Sequence, residues 1–282
     1  MGYRIESSRA ARPGAAEAFA AAAGRLHREI QAPCTFFVMG QVAEENPDLL
    51  RRLRDDLGGL ADFQQMTFSG APLKTVCRQL RSGMQVTRGM SPDQCADETR
   101  MAADAVERAV GVRPVGLDDP LGSYRGLADR PDILEGLRAA GIRFTRTYTR
   151  NAQDWHPLTF EAQPMRYEAQ GVPEIVEIPG QGWPTAIIRE TIGSLDRARY
   201  IQHLRKDIDY VAMRELVWSV CQTDWSSVLD DPEMAATRET LEYARDRGLR
   251  IMTHAQLHAE ICPAAEPAAP PAPTESAQEG SA

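Results

Sequence analysis

Two adjacent carboxylates, Asp118 and Asp119, are the first groups in this chain with obvious chemical use. Carboxylates held close together push one another's pKa values apart, which can set a general acid beside a general base. The plainer reading is a turn before Pro120, where Asp bonds its own backbone. Gly180-Gln181-Gly182-Trp183-Pro184 is a second candidate. Its glycines allow close approach and Trp183 offers a stacking face, unless the ring is only lid or core packing. His254 and His258 stand four apart, a helical metal spacing, and are read as a surface pair; His27, His156 and His203 stand apart from one another. The cysteines Cys34, Cys77, Cys95, Cys221 and Cys262 are odd in number and lack a CxxC spacing, so they read as reduced thiols. Cys34 and Cys221 fall in apolar runs and read as inert core residues. No glycine loop of phosphate-binding type occurs, which leaves nucleotide use without support.

Elements that would position these groups alternate along the chain. Gly2–Ser7 reads as a first strand and Gly14–Ile30 as an Ala-rich helix. Cys34–Met39 is a short apolar run suited to a buried parallel strand. Asn46-Pro47-Asp48 opens a helix, with Asn46 as N-cap and Pro47 in the first turn. Asp62–Thr67 reads as a strand, and Ser91-Pro92-Asp93 starts a helix to about Val110. Further strands are expected at Val115–Asp118, Ile142–Tyr148, Glu174–Ile178, Leu216–Cys221 and Arg250–Thr253. Helices are expected at Asp132–Ala140, Arg197–Arg214 and Pro232–Arg247. Such alternation predicts an α/β fold with a mainly parallel sheet, and the number of units fits a barrel. Chemistry in these folds sits at the C-terminal strand ends.

Composition narrows the function classes. With 282 residues the folded part, residues 1–262, can form one barrel domain; residues 263–282 are a Pro/Ala-rich tail expected to be disordered. A net charge of −8 and a pI near 5.3 argue against nucleic acid and anionic membrane surfaces as partners. No apolar run is long enough to span a bilayer, and Met1–Glu6 carries no signal-peptide pattern, so a cytoplasmic location is expected.

Cys34-Thr35-Phe36-Phe37-Val38-Met39-Gly40, followed by Asn46-Pro47-Asp48-Leu49, resembles the TFFV-x-G strand of the polysaccharide deacetylase (NodB-like, carbohydrate esterase family 4) superfamily. Asp118–Tyr124 resembles that family's R-x-P-x-G-x-Y segment, Val217–Trp225 its late strand, and Leu241–Thr253 its closing helix and strand. The resemblance covers most of residues 1–260 and implies a distorted (β/α) barrel. It also implies a divalent metal and removal of N- or O-acetyl groups from sugars, chemistry that needs a polarised carbonyl, an activated water and a carboxylate base.

The positions that resemblance assigns to the chemistry have changed. Glu6-Ser7 stands in place of a pair of aspartates. Met66-Thr67-Phe68-Ser69-Gly70 stands in place of H-[ST]-x-x-H, and a thioether and a glycine cannot hold zinc. Asp118 reverses the charge of the family's Arg, and Thr223 or Cys221 stands for a late His. The resemblance therefore places Glu6, Asp118, Asp119 and Asp224 as candidate catalytic carboxylates of an acidic cleft. Ser7, Met66, Ser69, Gly70, Tyr124, Trp183, Thr223 and Trp225 become candidate pocket residues, with no metal and no cofactor. Three readings follow: a metal-independent enzyme acting on a small organic or sugar-derived substrate, with Glu6 as base; a non-catalytic pseudoenzyme binding a ligand or partner subunit; and a metal-dependent deacetylase with unusual ligands. Homo-oligomer formation is left open.

Overall fold

The computed structural model describes residues 1–6, 14–80, 83–192, 196–229 and 231–263. Ser7 and residues 264–282 of the tail lie outside these. The first half of the chain alternates as expected: β1 (Gly2–Ile5), α1 (Ala15–Ile30), β2 (Cys34–Val38), α2 (Gly40–Glu45), α3 (Pro47–Leu57) and β3 (Ala61–Gln65). A hairpin, β4 (Val76–Leu80) with β5 (Gly83–Thr87), then precedes α4 (Pro92–Val110). β6 (Gly116–Tyr124), α5 (Pro131–Ala139), β7 (Phe144–Arg150), β8 (Met165–Tyr167) and β9 (Val172–Glu177) follow. The last third is helical around one short strand: α6 (Thr185–Ile192), α7 (Arg197–Met213), β10 (Cys221–Thr223), α8 (Asp224–Val228), α9 (Ala235–Asp246) and α10 (His254–Ile261).

The strands form an eight-stranded sheet in the order β10-β1-β2-β3-β6-β7-β9-β8. Its pairings are parallel except β8 against β9. This is the architecture of a (β/α) barrel, although among the described residues no strand pair closes it. Alternation along each strand decides what faces which layer. Tyr3 packs outward on Phe19 of α1 and donates its hydroxyl proton to His27 Nε2 at 2.8 Å. That donor role follows from His27 Nδ1, which lies 2.8 Å from the Ala32 carbonyl and so must carry the ring proton. Phe36 and Phe63 continue this aromatic layer beneath the helices. Arg4, between Tyr3 and Ile5, therefore faces inward, and with it Asp118 of β6 and Arg146 of β7.

Helix starts follow their sequence signals closely. Ser91 and Gln94 form a reciprocal capping box with Pro92 in the first turn of α4. Pro47 starts α3 as expected, but Asn46 makes no capping hydrogen bond with its side chain.

Two expected strands are not strands. The β-prone run Leu216–Cys221 enters the sheet only at its last residue, Cys221. The Val220 carbonyl still accepts from Gly2 N–H at 2.9 Å, but the groups of Val217 and Ser219 bond to side chains instead of a ladder. Val217 N–H donates to Gln163 Oε1 at 2.8 Å, and Ser219 N–H to Gln181 Oε1 at 3.0 Å. The Val217 carbonyl accepts from both glutamine amides, and the Ser219 carbonyl accepts from Arg146 Nη2. Arg250–Thr253 likewise forms no strand; Thr253 caps α10 through a capping box with Gln256.

The His254/His258 pair is not a surface pair either. His254 is buried between Phe37 and Phe144, with Nε2 2.7 Å from Ser219 Oγ and its backbone N–H on Thr35 Oγ1. Apolar packing around one imidazole, not shared ligation, explains the spacing; burial holds its pKa well below the ordinary value. All five cysteines are free thiols; Cys34 and Cys95 are buried, Cys221 is half-buried and Cys77 is exposed. No helix among the described residues is long and apolar enough to cross a membrane.

Candidate functional site

The C-terminal ends of the parallel strands meet around a buried ion cluster. Asp118 and Arg146 are register partners across β6 and β7. The Asp118 carboxylate is fully buried and accepts from both Nε and Nη2 of Arg4, the latter at 3.0 Å, and from Arg146 Nη1 at 3.0 Å. Arg4 also donates to the carbonyls of Pro120 at 2.7 Å and Asp119 at 2.8 Å. Burial works against the Arg4 charge, but Asp118 outweighs it and holds the guanidinium above its ordinary value. The charge reversed at position 118 is thus matched by two arginines.

A kink after Asp118 makes this geometry possible. The β6–β7 register shifts between Asp118 and Ser123, where Pro120 and Gly122 interrupt the ladder. Gly122 has φ +60°, and a Cβ there would fall 1.9 Å from Thr149 Oγ1. Any other residue would have to push β7 away.

Asp119 points elsewhere. Its side chain is fully buried, Oδ1 accepts from Leu73 N–H at 3.3 Å, and Oδ2 has no partner among the described residues. Burial, reinforced by the charge of Asp118, pushes its pKa up to about 7. Glu6 and Asp224 form a third group at the ends of β1 and β10. Asp224 Oδ2 accepts from Glu6 N–H at 3.2 Å, and its Oδ1 from Trp225 N–H at 2.8 Å. The Trp225 indole N–H donates to Glu6 Oε1 at 3.4 Å. Thr223 caps α8, accepting from Ser226 N–H.

The expected acidic cleft does not form. The cavity at this end has a volume of about 180 Å³ and is lined by Arg4, Arg78, Arg146, Arg150 and His156, with no Asp or Glu in its wall among the described residues. Of the expected pocket residues, Trp183 and Thr223 line it. Trp183 also packs on the small cluster of Ile188, Tyr200 and Leu204, so its ring serves wall and core together. Met66 is fully buried in the main core, and Ser69 is tied through its N–H to Glu98. Gly70 follows in the same turn, at φ +70°. Tyr124 is exposed and meets Tyr148 edge-on. The carboxylates are engaged away from the cavity, Asp118 under Arg4 and Arg146, Asp119 on Leu73 N–H and Asp224 on the N–H groups of Glu6 and Trp225, so arginines form the wall.

Arg146, Arg150 and His156 were not singled out from sequence. The signal was present in Thr145-Arg146-Thr147-Tyr148-Thr149-Arg150, where two arginines four apart share one strand face. Arg150 is buried, donating Nε to the Leu121 and Gly122 carbonyls and Nη1 to the Asp154 carbonyl. His156 is held down at about 4 by burial and by the charge of Arg150.

A divalent metal of the kind the family uses does not fit this donor set. Among the described residues no group of three or more His, Cys, Asp or Glu side chains converges, and Asp118 is occupied by guanidiniums.

Residues 14–145 match the family model of polysaccharide deacetylase. No curated protein sequence matches the chain. Among solved structures, one from Mycobacterium smegmatis assigned to the polysaccharide deacetylases is 16% identical at a TM-score of 0.61, covering 88% of this chain and 78% of that one. PuuE allantoinase is 15% identical at a TM-score of 0.61, covering 88% and 74%. A carbohydrate esterase family 4 pseudoenzyme from Bacillus anthracis is 12% identical at a TM-score of 0.54, covering 92% of this chain and 65% of that protein, just under two thirds of its length. At these identities the likeness is one of fold.

Proposed function

With a polysaccharide deacetylase domain over residues 14–145 as premise, we propose that this chain has lost the metal-dependent deacetylase site. In its place it binds a small organic or sugar-derived molecule at the C-terminal strand ends. The observation that carries the reading is the buried Arg4–Asp118–Arg146 cluster. It lies toward the C-terminal strand ends, where such folds carry their chemistry, and it covers the buried Asp118 carboxylate with two guanidiniums, which leaves that group neither ligand nor base. Met66, at the position of an imidazole, is committed to core packing. The test is acetate release from a chitin oligomer with zinc, nickel or cobalt added. The reading expects none above the protein-free blank. Metal-dependent release that disappears in Asp118→Asn overturns it.

Binding without turnover is the form of this reading that the cavity wall supports best, since among the described residues no carboxylate lines it. Metal-independent turnover is the second reading, and Asp119 is the observation that favours it. Asp118 is consumed by guanidiniums and Asp224 by backbone amides, which leaves Glu6 and Asp119 for proton transfer. A carboxyl poised near 7 suits that role better than an ordinary one. Once a substrate is in hand, Glu6→Gln and Asp119→Asn decide it: a loss of about a hundredfold or more in turnover per folded molecule supports an enzyme, and unchanged turnover removes both residues from the mechanism.

A further inference from the structure

Resting on the reading above, and naming the ligand class for the same cavity, we infer that its ligand carries an oxyanion, a carboxylate or phosphate group gripped by Arg150 and Arg78 at the arginine-lined wall.

Charge balance is the first argument. Four guanidiniums reach the wall: Arg4, Arg78, Arg146 and Arg150. Among the described residues the carboxylates within ion-pair distance of them are Asp118, shared by Arg4 and Arg146, and Asp154, 3.9 Å from Arg150 Nε. Two positive charges are thus left over. Arg146 and Arg150 are only 6% and 2% exposed, so this excess sits in a desolvated wall where a counter-charge gains most.

Donor capacity is the second. A guanidinium has five N–H groups. Arg150 spends Nε and Nη1 on backbone carbonyls, and its Nη2 makes no hydrogen bond among the described residues. Arg78 donates Nη2 to Gln85 Oε1, and its buried Nε has no partner among the described residues. His156, itself 9% exposed, also lines the cavity, but as a neutral imidazole it adds no donor to this count, which rests on the guanidiniums. Buried donors without partners are costly, and an oxyanion would satisfy several at once.

Shape is the third. The first residues of α6, Thr185, Ala186 and Ile187, also line the cavity, so the positive end of that helix adds to the field. Gly180, also in the lining, lets the Arg146 guanidinium pack against the backbone, since a Cβ there would fall 2.4 Å from Nη2. A volume of about 180 Å³ is below the roughly 300–1,000 Å³ of drug-sized ligand pockets. The ligand is therefore small: an organic acid of a few carbons or a small phosphate.

The experiment is a thermal-shift and calorimetric titration of the full chain with malonate, inorganic phosphate and neutral malonamide. Ionic strength is fixed with sodium chloride, and each arm is run with EDTA and with zinc. Malonate or phosphate, but not malonamide, should raise Tm by about 5–10 °C at a hundred times its Kd. A response to malonate alone assigns an organic acid, and to phosphate alone a phosphate ligand; either supports the inference. Arg150→Met should weaken binding at least about tenfold. Should that variant fail to fold, Arg78→Met on the β4–β5 hairpin carries the same expectation. No response to either anion in EDTA or zinc, or an equal response to malonamide, overturns the inference and leaves the metal-free reading standing. Binding that appears only with zinc overturns that reading as well.

Discussion

Replacing Asp119 with asparagine keeps the shape and the Oδ1 acceptor for Leu73 N–H but removes a buried titration. In the folded chain this carboxyl is raised from 3.8 to about 7, chiefly by burial. A group whose folded pKa is raised contributes most stability below its unfolded pKa, and that contribution is lost as pH rises through the folded value. The gap of about three units, at about 1.4 kcal/mol per unit, amounts to roughly 4 kcal/mol in all. Roughly 2–3 kcal/mol of it falls between pH 5 and pH 8. Asp119→Asn should therefore gain on the wild type by roughly that amount across this window, whatever its constant offset. Urea denaturation of both proteins at each pH unit measures it. His27 and His156, both held near 4, bend the two profiles in the opposite sense and cancel in the difference. A difference that is flat from pH 5 to 8, or that runs against the variant as pH rises, refutes the assignment of Asp119 as a buried carboxyl near neutrality.

Removing one partner of the central ion cluster should be severe. Arg146→Met leaves Asp118 buried with Arg4 alone and strips the Ser219 carbonyl of its donor, a loss of about 3–5 kcal/mol by denaturant titration. Gln181→Ala removes acceptor and donor from the Val217–Ser219 segment and should cost about 1–3 kcal/mol in the same assay. If the segment were instead held by a backbone ladder, the cost would be near zero.

What sequence reading reached and missed follows from the range of the interactions. α4 was legible because Ser91, Pro92 and Gln94 act within one turn. β2 was legible because five consecutive buried residues leave no other element open. Leu216–Cys221 misled because β propensity reports side-chain shape, whereas the partners that satisfy its backbone, Gln163 and Gln181, lie 54 and 38 residues away. The β4–β5 hairpin was missed because its residues face solvent on β5 and carry no clean alternation. At the site the departures from the family's pattern were visible one residue at a time. The replacement was not, since Arg4 meets Asp118 across 114 residues of chain. The charge reversal at 118 was evident, but the arginines that answer it become partners only through inward alternation on β1 and β7.

The central claim is that these strand ends do not hold a divalent metal: Met66 and Gly70 stand where the resemblance puts imidazoles, and the buried Asp118 carboxylate is covered by guanidiniums. Calorimetric titration of chelator-stripped protein with zinc tests it most directly. The account predicts no saturable binding at the mouth, and the same heats for the wild type and Asp118→Asn. One-to-one binding with a Kd below about 1 μM, lost in Asp118→Asn while the fold survives, would contradict it.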